Sequence, residues 1–130
     1  MNFKDYFIKG IHGTLQLKGN TQFSYKNQWK QLYANTVLDQ WHVGEIMSAE
    51  YTVVIDNGRH AKETIKAVVV AGPGNASISI IGRASLASNI VNLDVVVTDS
   101  SLQLTASPVD VAATGARAIF SATYYQTLTD

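Results

Sequence analysis

Ala49-Glu50-Tyr51-Thr52-Val53-Val54-Ile55-Asp56-Asn57-Gly58-Arg59 is the stretch that decides the fold. In an extended chain Tyr51, Val53 and Ile55 fall on one face and Thr52 and Val54 on the other. This period of two, carried by β-branched and aromatic residues, marks a half-buried strand. Asn57-Gly58 suits the positive φ angles of a type I′ turn, so the strand is expected to reverse there into a hairpin. The returning strand spans about residues 62–71 and ends at Gly72-Pro73-Gly74-Asn75, where proline removes a backbone donor and stops the ladder.

The same period continues towards the C-terminus. Residues 76–83 place Ile78 and Ile80 on one face, and residues 89–98 oppose Val91, Leu93, Val95 and Val97 to Asn92, Asp94 and Val96. Asp99-Ser100 reverses the chain, and residues 101–106 alternate Leu102 and Leu104 with polar neighbours. Pro108 closes that strand, a loop of small residues covers 110–115, and residues 116–126 stack Ala116, Ala118, Phe120, Ala122 and Tyr124 on one face. Towards the N-terminus, residues 14–17 and 29–33 read as strands with a turn at Gly19-Asn20 between them. Residues 35–40 read as a loop and 41–47 as a further strand, while residues 1–13 fit neither period and form an arm. About eight strands at this spacing predict an all-β protein: one antiparallel, jelly-roll-like β-sandwich over residues 14–130, with an extended N-terminal arm.

Composition narrows the function classes. The chain has 130 residues, ten Lys and Arg against ten Asp and Glu, and no cysteine. Neutrality removes the basic field that phosphate neutralisation or an anionic bilayer requires, so neither nucleic acid nor membrane is an expected partner. Residues 1–9 break their apolar patch with charges, unlike a secretory signal. The longest apolar run, residues 67–71, falls far short of the ~20 residues of a membrane-spanning helix. Lack of cysteine excludes disulfides, thiolate metal sites and cysteine nucleophiles. Charged residues make up 15% of the chain and apolar ones 46%, few charges for a molecule bathed in water on all sides. Residues 1–66 carry eight basic and six acidic groups and residues 67–130 two and four, a slight polarity consistent with random variation or with head-to-tail complementarity between copies.

No catalytic, cofactor or metal constellation emerges. His12, His42 and His60 stand 30 and 18 residues apart, which fits no metal-ligand spacing. The Gly-x-Ser-x-Gly elbow is missing, and Gly72-Pro73-Gly74 lacks the third glycine and lysine of a phosphate cradle. Pairs such as Glu45 with Glu50, or Asp94 with Asp99, are what any chain with ten carboxylates offers. Trp29, Tyr33 and Trp41 have three readings: core packing, a subunit interface, or a platform on which sugar rings stack. Phe3, Tyr6, Phe7 and Ile8 in the arm are more apolar surface than a small domain can cover, and they are expected to dock on a neighbour.

Seven short segments together carry a resemblance: Trp29-Lys30-Gln31-Leu32-Tyr33, Trp41-x-Val43-Gly44, Ser48-Ala49-x-Tyr51, Gly82-Arg83-Ala84, Ala106-Ser107-Pro108, Gly115-Ala116-Arg117 and Ala122-Thr123-Tyr124-Tyr125. Over residues 25–126 the chain resembles the β-rich structural proteins of tailed bacteriophages, especially contractile-tailed phages infecting cyanobacteria. The resemblance implies a non-enzymatic virion component of capsid, neck, tail or fibre, assembled in the host cytoplasm and bound to its own copies and to other virion proteins. It brings no catalytic residue and no small-molecule substrate. A receptor- or carbohydrate-binding module of a fibre is the alternative. Arg83 and Arg117, each at a strand end, are candidates for bidentate bridges within or between subunits.

Overall fold

The computed structural model describes residues 22–58, 61–86, 89–109 and 115–128. These form nine strands: β1 (Gln22–Lys26), β2 (Lys30–Gln31), β3 (Thr36–His42), β4 (Ile46–Asp56), β5 (Lys62–Gly72), β6 (Asn75–Ser85), β7 (Val91–Thr98), β8 (Ser101–Pro108) and β9 (Arg117–Gln126). No helix occurs among the described residues. The arm expected at residues 1–13, with Phe3, Tyr6, Phe7 and Ile8, lies outside them.

All pairings are antiparallel. One sheet runs β1-β9-β4-β5-β6 with β2 beside β9, and the second runs β3-β8-β7. The order β9-β4-β5-β6 is a Greek-key winding: three hairpin-connected strands with a later strand returned beside the first. The two inner faces enclose one core, in which Trp41, Tyr51, Phe120 and Tyr124 are the largest buried side chains, with Leu32, Ile55, Ile65, Leu102 and Leu104 around them. Burying each large aliphatic or aromatic side chain contributes about 1.5–3 kcal/mol. Tyr51 meets Phe120 and Tyr124 edge-on, at centroid distances of 5.6 and 6.3 Å, the orientation that ring quadrupoles favour.

The turns follow their residues. Pro73-Gly74 joins β5 to β6 as a two-residue loop, with Gly74 at φ 85° as the third position of a type II turn requires. Asp99 and Ser100 both adopt positive φ, 52° and 65°, and close the β7–β8 hairpin between the paired Thr98 and Ser101. The β4–β5 connection is longer than the Asn-Gly signal implies. Asp56 pairs with Lys62, and Asn57 N–H donates to the Ala61 carbonyl at 3.2 Å. The Asp56 carboxylate accepts the Gly58 amide at 2.7 Å, an Asx turn that replaces the tight reversal.

The N-terminal third departs furthest from the sequence reading. Strand β3 covers residues 36–40, for which a loop is expected, and continues through Trp41 and His42, while Val43-Gly44-Glu45 is a turn in the middle of the expected 41–47 strand. A bulge between Val37 and Asp39 makes Leu38 an extra residue in the pairing with β8, so Leu38 and Asp39 are both buried and the period of two breaks. At the turn, the Gly44 amide donates to His42 Nδ1 at 2.9 Å. A side chain at Gly44 would lie 2.8 Å from the imidazole, so it would displace the exposed His42 ring and break this bond. The expected strand 29–33 shrinks to Lys30–Gln31, and β1 occupies residues 22–26, to which the sequence assigns no element.

Candidate functional site

Two carboxylates are drawn inside the sandwich, one from each sheet. Asp39, turned inward by the β3 bulge and 5% exposed, accepts the hydroxyls of Tyr51 and Tyr124 on Oδ2 at 2.7 and 2.6 Å. Its Oδ1 takes the Gln40 amide at 2.9 Å. The Trp41 indole N–H donates to the Tyr51 hydroxyl at 2.8 Å, so β3, β4 and β9 are tied by one chain of bonds. Burial first, and then the negative charge of Asp39, hold both tyrosine hydroxyls well above the ordinary tyrosine range. These phenols stay protonated as donors.

Glu63 points inward from β5 and is 1% exposed. Its Oε2 accepts Arg83 Nη1 at 2.8 Å and Ser85 Oγ at 2.5 Å. Its Oε1 accepts the amides of Ile90 and Val91 at 3.2 and 3.3 Å. Arg83 Nη1 also donates to the Val91 carbonyl at 3.0 Å. A single carboxylate thus fastens the end of β6 and the start of β7, where the chain crosses between sheets. Each of its oxygens has two donors, which is what a buried carboxylate needs to offset desolvation.

The outer face of the larger sheet is the accessible one. Across its middle, Lys26, Ser121, Thr52 and Lys66 stand in register on β1, β9, β4 and β5. They border a shallow depression of about 540 Å³ that also includes Glu50 and Thr123. Tyr125 donates its hydroxyl to Glu50 at 2.7 Å. At the hairpin end of the same face, Trp29, Asp56, Asn57, Gly58, Gly115 and Arg117 line a second depression of about 470 Å³.

Trp29 reaches that position through irregular pairing. Lys26 is opposite Ser121 and Lys30 opposite Ala118, so three residues of the β1–β2 link face two of β9. Asn27 anchors the link by accepting the Phe120 amide on its side chain at 2.7 Å and donating its own amide to the Phe120 carbonyl at 3.1 Å. The surplus residue leaves Trp29 51% exposed.

The sequence-derived candidates therefore separate. Trp29 and Arg117 come together. Tyr33 is exposed, its amide donating to Thr36 Oγ1 at 2.8 Å, but it does not line the Trp29 depression. Trp41 cannot serve as a sugar platform in this fold: at 1% exposure both ring faces are packed in the core and its N–H is committed to Tyr51. Arg83 bridges within the chain, to Glu63. Asp39 and Glu63 went unremarked in the sequence because their partners are 12 to 85 and 20 to 28 residues away, and no local pattern carries such a signal. Among the described residues no group of three His, Asp or Glu side chains converges as metal ligands, and no helix is long and apolar enough to cross a membrane.

No protein-family model and no curated protein matches the chain. Among solved structures, the tailspike protein of Acinetobacter baumannii phage AM24 overlaps 85% of this chain and 27% of its own, with a TM-score of 0.49 and 10% identity. The tailspike protein of Acinetobacter phage vB_ApiP_P1 overlaps 82% of this chain and 21% of its own, with a TM-score of 0.44 and 16% identity. The chain thus spans about a quarter of the length of these tailspikes. Overlaps this loose assign no activity to the chain, and neither phage is named for a cyanobacterial host.

Proposed function

We propose that the chain is a non-enzymatic structural subunit of a tailed-phage virion, working through contacts with its own copies and with other virion proteins. The observation that carries this reading is strand β6. Among the described residues it is an edge of the larger sheet, eleven residues long, and its sequence Asn-Ala-Ser-Ile-Ser-Ile-Ile-Gly-Arg-Ala-Ser contains no lysine, proline or acid. Its single charge, Arg83, is turned inward onto Glu63. Protein edges left open to water are normally blunted by such residues, because a free row of amides and carbonyls recruits another strand. Here Ile81, the extra residue of a bulge opposite Lys66 and Ala67, is 62% exposed, and Val70 and Leu86, toward the two ends of the β5–β6 ladder, are exposed as well. An apolar, uncharged edge of this kind fits a surface that another protein covers. The low charge of the whole chain and the resemblance over residues 25–126 support the same reading.

The test is light scattering of the purified chain over a concentration series, together with mass spectrometry of purified particles. The reading expects concentration-dependent assembly that Ile81→Lys weakens, and a fixed copy number in the particle. A chain that stays monomeric at every concentration and is missing from particles overturns it.

A further inference from the structure

The depression at the hairpin end of the outer face combines three chemistries in about 470 Å³, within the size range of small-ligand sites. Trp29 supplies an apolar aromatic surface, half of it open. Asp56 supplies a fixed acceptor: its Oδ1 takes the Gly58 amide at 2.7 Å and its Oδ2 takes Lys62 Nζ at 3.1 Å. These bonds, the Gly58 amide foremost, hold its carboxyl below the ordinary range, and each oxygen keeps a second lone pair for a ligand hydroxyl. Arg117 supplies a donor fork. It lies directly across the β4–β9 pairing from Asp56, yet Asp56 forms its ion pair with Lys62.

The ion pairing among the described residues narrows the ligand class. Asp56 and Lys62 balance each other, and the exposed Arg117 guanidinium is left over, with no ion pair among the described residues. A guanidinium beside an aromatic ring suits a carboxylate carried on a body with an apolar face, since the fork accepts two carboxylate oxygens at once. Saccharides have that body: axial C–H groups for Trp29 and ring hydroxyls for Asp56. Gly58 and Gly115, at φ 77° and 90°, bring no side chain to the wall, and a Cβ at either would meet nothing within 4 Å. A purely aliphatic ligand would leave Arg117 and Asp56 unused, and a bare phosphate would leave Trp29 unused.

We propose that Trp29, Asp56 and Arg117 form a binding site for an acidic pyranose, a sugar ring bearing a carboxylate such as a uronic or sialic acid residue of a glycan. The site goes beyond the assembly role and stands independently of it, because β6 lies on the opposite edge of the sheet from the β1–β2 link.

The test begins with a glycan array carrying neutral, uronate and sialylated oligosaccharides, whose arms separate the two acid types. Calorimetry follows, with oligogalacturonate and oligogalactose of equal length. The expected result is retention of acidic glycans, about tenfold or more tighter than their neutral counterparts, with about tenfold loss in Trp29→Ala. Arg117→Gln abolishes the preference for acid over neutral sugar while circular dichroism stays unchanged, and it serves as the deciding variant if Trp29→Ala fails to fold. Retention of no acidic glycan overturns the proposal. Equal affinity for acid and neutral sugars does so too, as does acid binding that survives both substitutions.

Discussion

Asp39 and Glu63 are both buried carboxylates that reach from one sheet to the other, in opposite directions, and they do so with different donors. Asp39 leaves the smaller sheet and is met by two phenols, Tyr51 and Tyr124, from the larger one. Glu63 leaves the larger sheet and is met by a guanidinium, a hydroxyl and two main-chain amides at the start of the smaller one. Asp39 joins side chains across strands that are already paired, whereas Glu63 holds the backbone at the crossover itself. The contrast teaches that the sandwich is closed in two ways: a central clasp whose parts can be removed one at a time, and a peripheral clamp whose loss releases several donors together.

The largest expected effect follows from the clamp. Glu63→Ala leaves the Arg83 charge and the Ile90 and Val91 amides without their acceptor, and breaking a buried pair in this way costs about 3–5 kcal/mol. Urea denaturation reads this directly; a loss below about 1 kcal/mol would mean that the clamp behaves as a solvated surface pair and that the contrast is empty. The clasp yields less per substitution. Tyr51→Phe removes one donor from Asp39 and also the acceptor of Trp41 Nε1, for about 2–3 kcal/mol, and the loss should exceed that of Tyr124→Phe. Equal losses would show that the Trp41 bond adds nothing.

A pH titration separates the two regions without mutation. Folded Tyr51 and Tyr124 keep their protons above the ordinary tyrosine value of 10.0, while the unfolded chain releases them there. Their contribution is complete below pH 10 and falls as pH rises beyond it, by up to about 1.4 kcal/mol per pH unit for each tyrosine. Denaturant midpoints measured from pH 9 to 11.5 should therefore decline, and Tyr124→Phe should make the decline shallower. Glu63→Gln should leave the slope of that limb as it is. The smallest effect on stability belongs to the exposed edge: Ile81→Lys should move it by no more than about 0.5 kcal/mol, even as it changes association.

How much of this was legible in the sequence depends on whether a strand is regular. From Ala49 onward in β4, and along β5 and β9, the period of two is unbroken, and Tyr51, Val53, Ile55, Phe120 and Tyr124 are buried as their alternation predicts. Bulges defeat the same logic. At β3 the inserted residue buries Leu38 and Asp39 side by side, so most of a strand reads as a polar loop, and Trp41, which belongs to the core, is left with core, interface and ligand-platform readings. At the β1–β2 link an insertion works the other way and pushes Trp29 out. Of the candidate ligand residues, Trp29 and Arg117 could be named from their types, but their meeting with Asp56 is a product of the β2–β9 and β4–β9 registers, which the linear chain does not display. Charge was equally misleading at Glu63, whose inward position depends on donors contributed two dozen residues later.

The opposite fates of the two tryptophans give the molecule a pair of built-in optical reporters. Trp41, sealed in the core and hydrogen-bonded through its indole nitrogen, should emit at shorter wavelength than Trp29 and be shielded from iodide. Trp29, half in water, should emit further to the red and be quenched freely. A single spectrum thus records the integrity of the interior and the occupancy of the outer face as separate components, and Trp29→Phe or Trp41→Phe isolates either one.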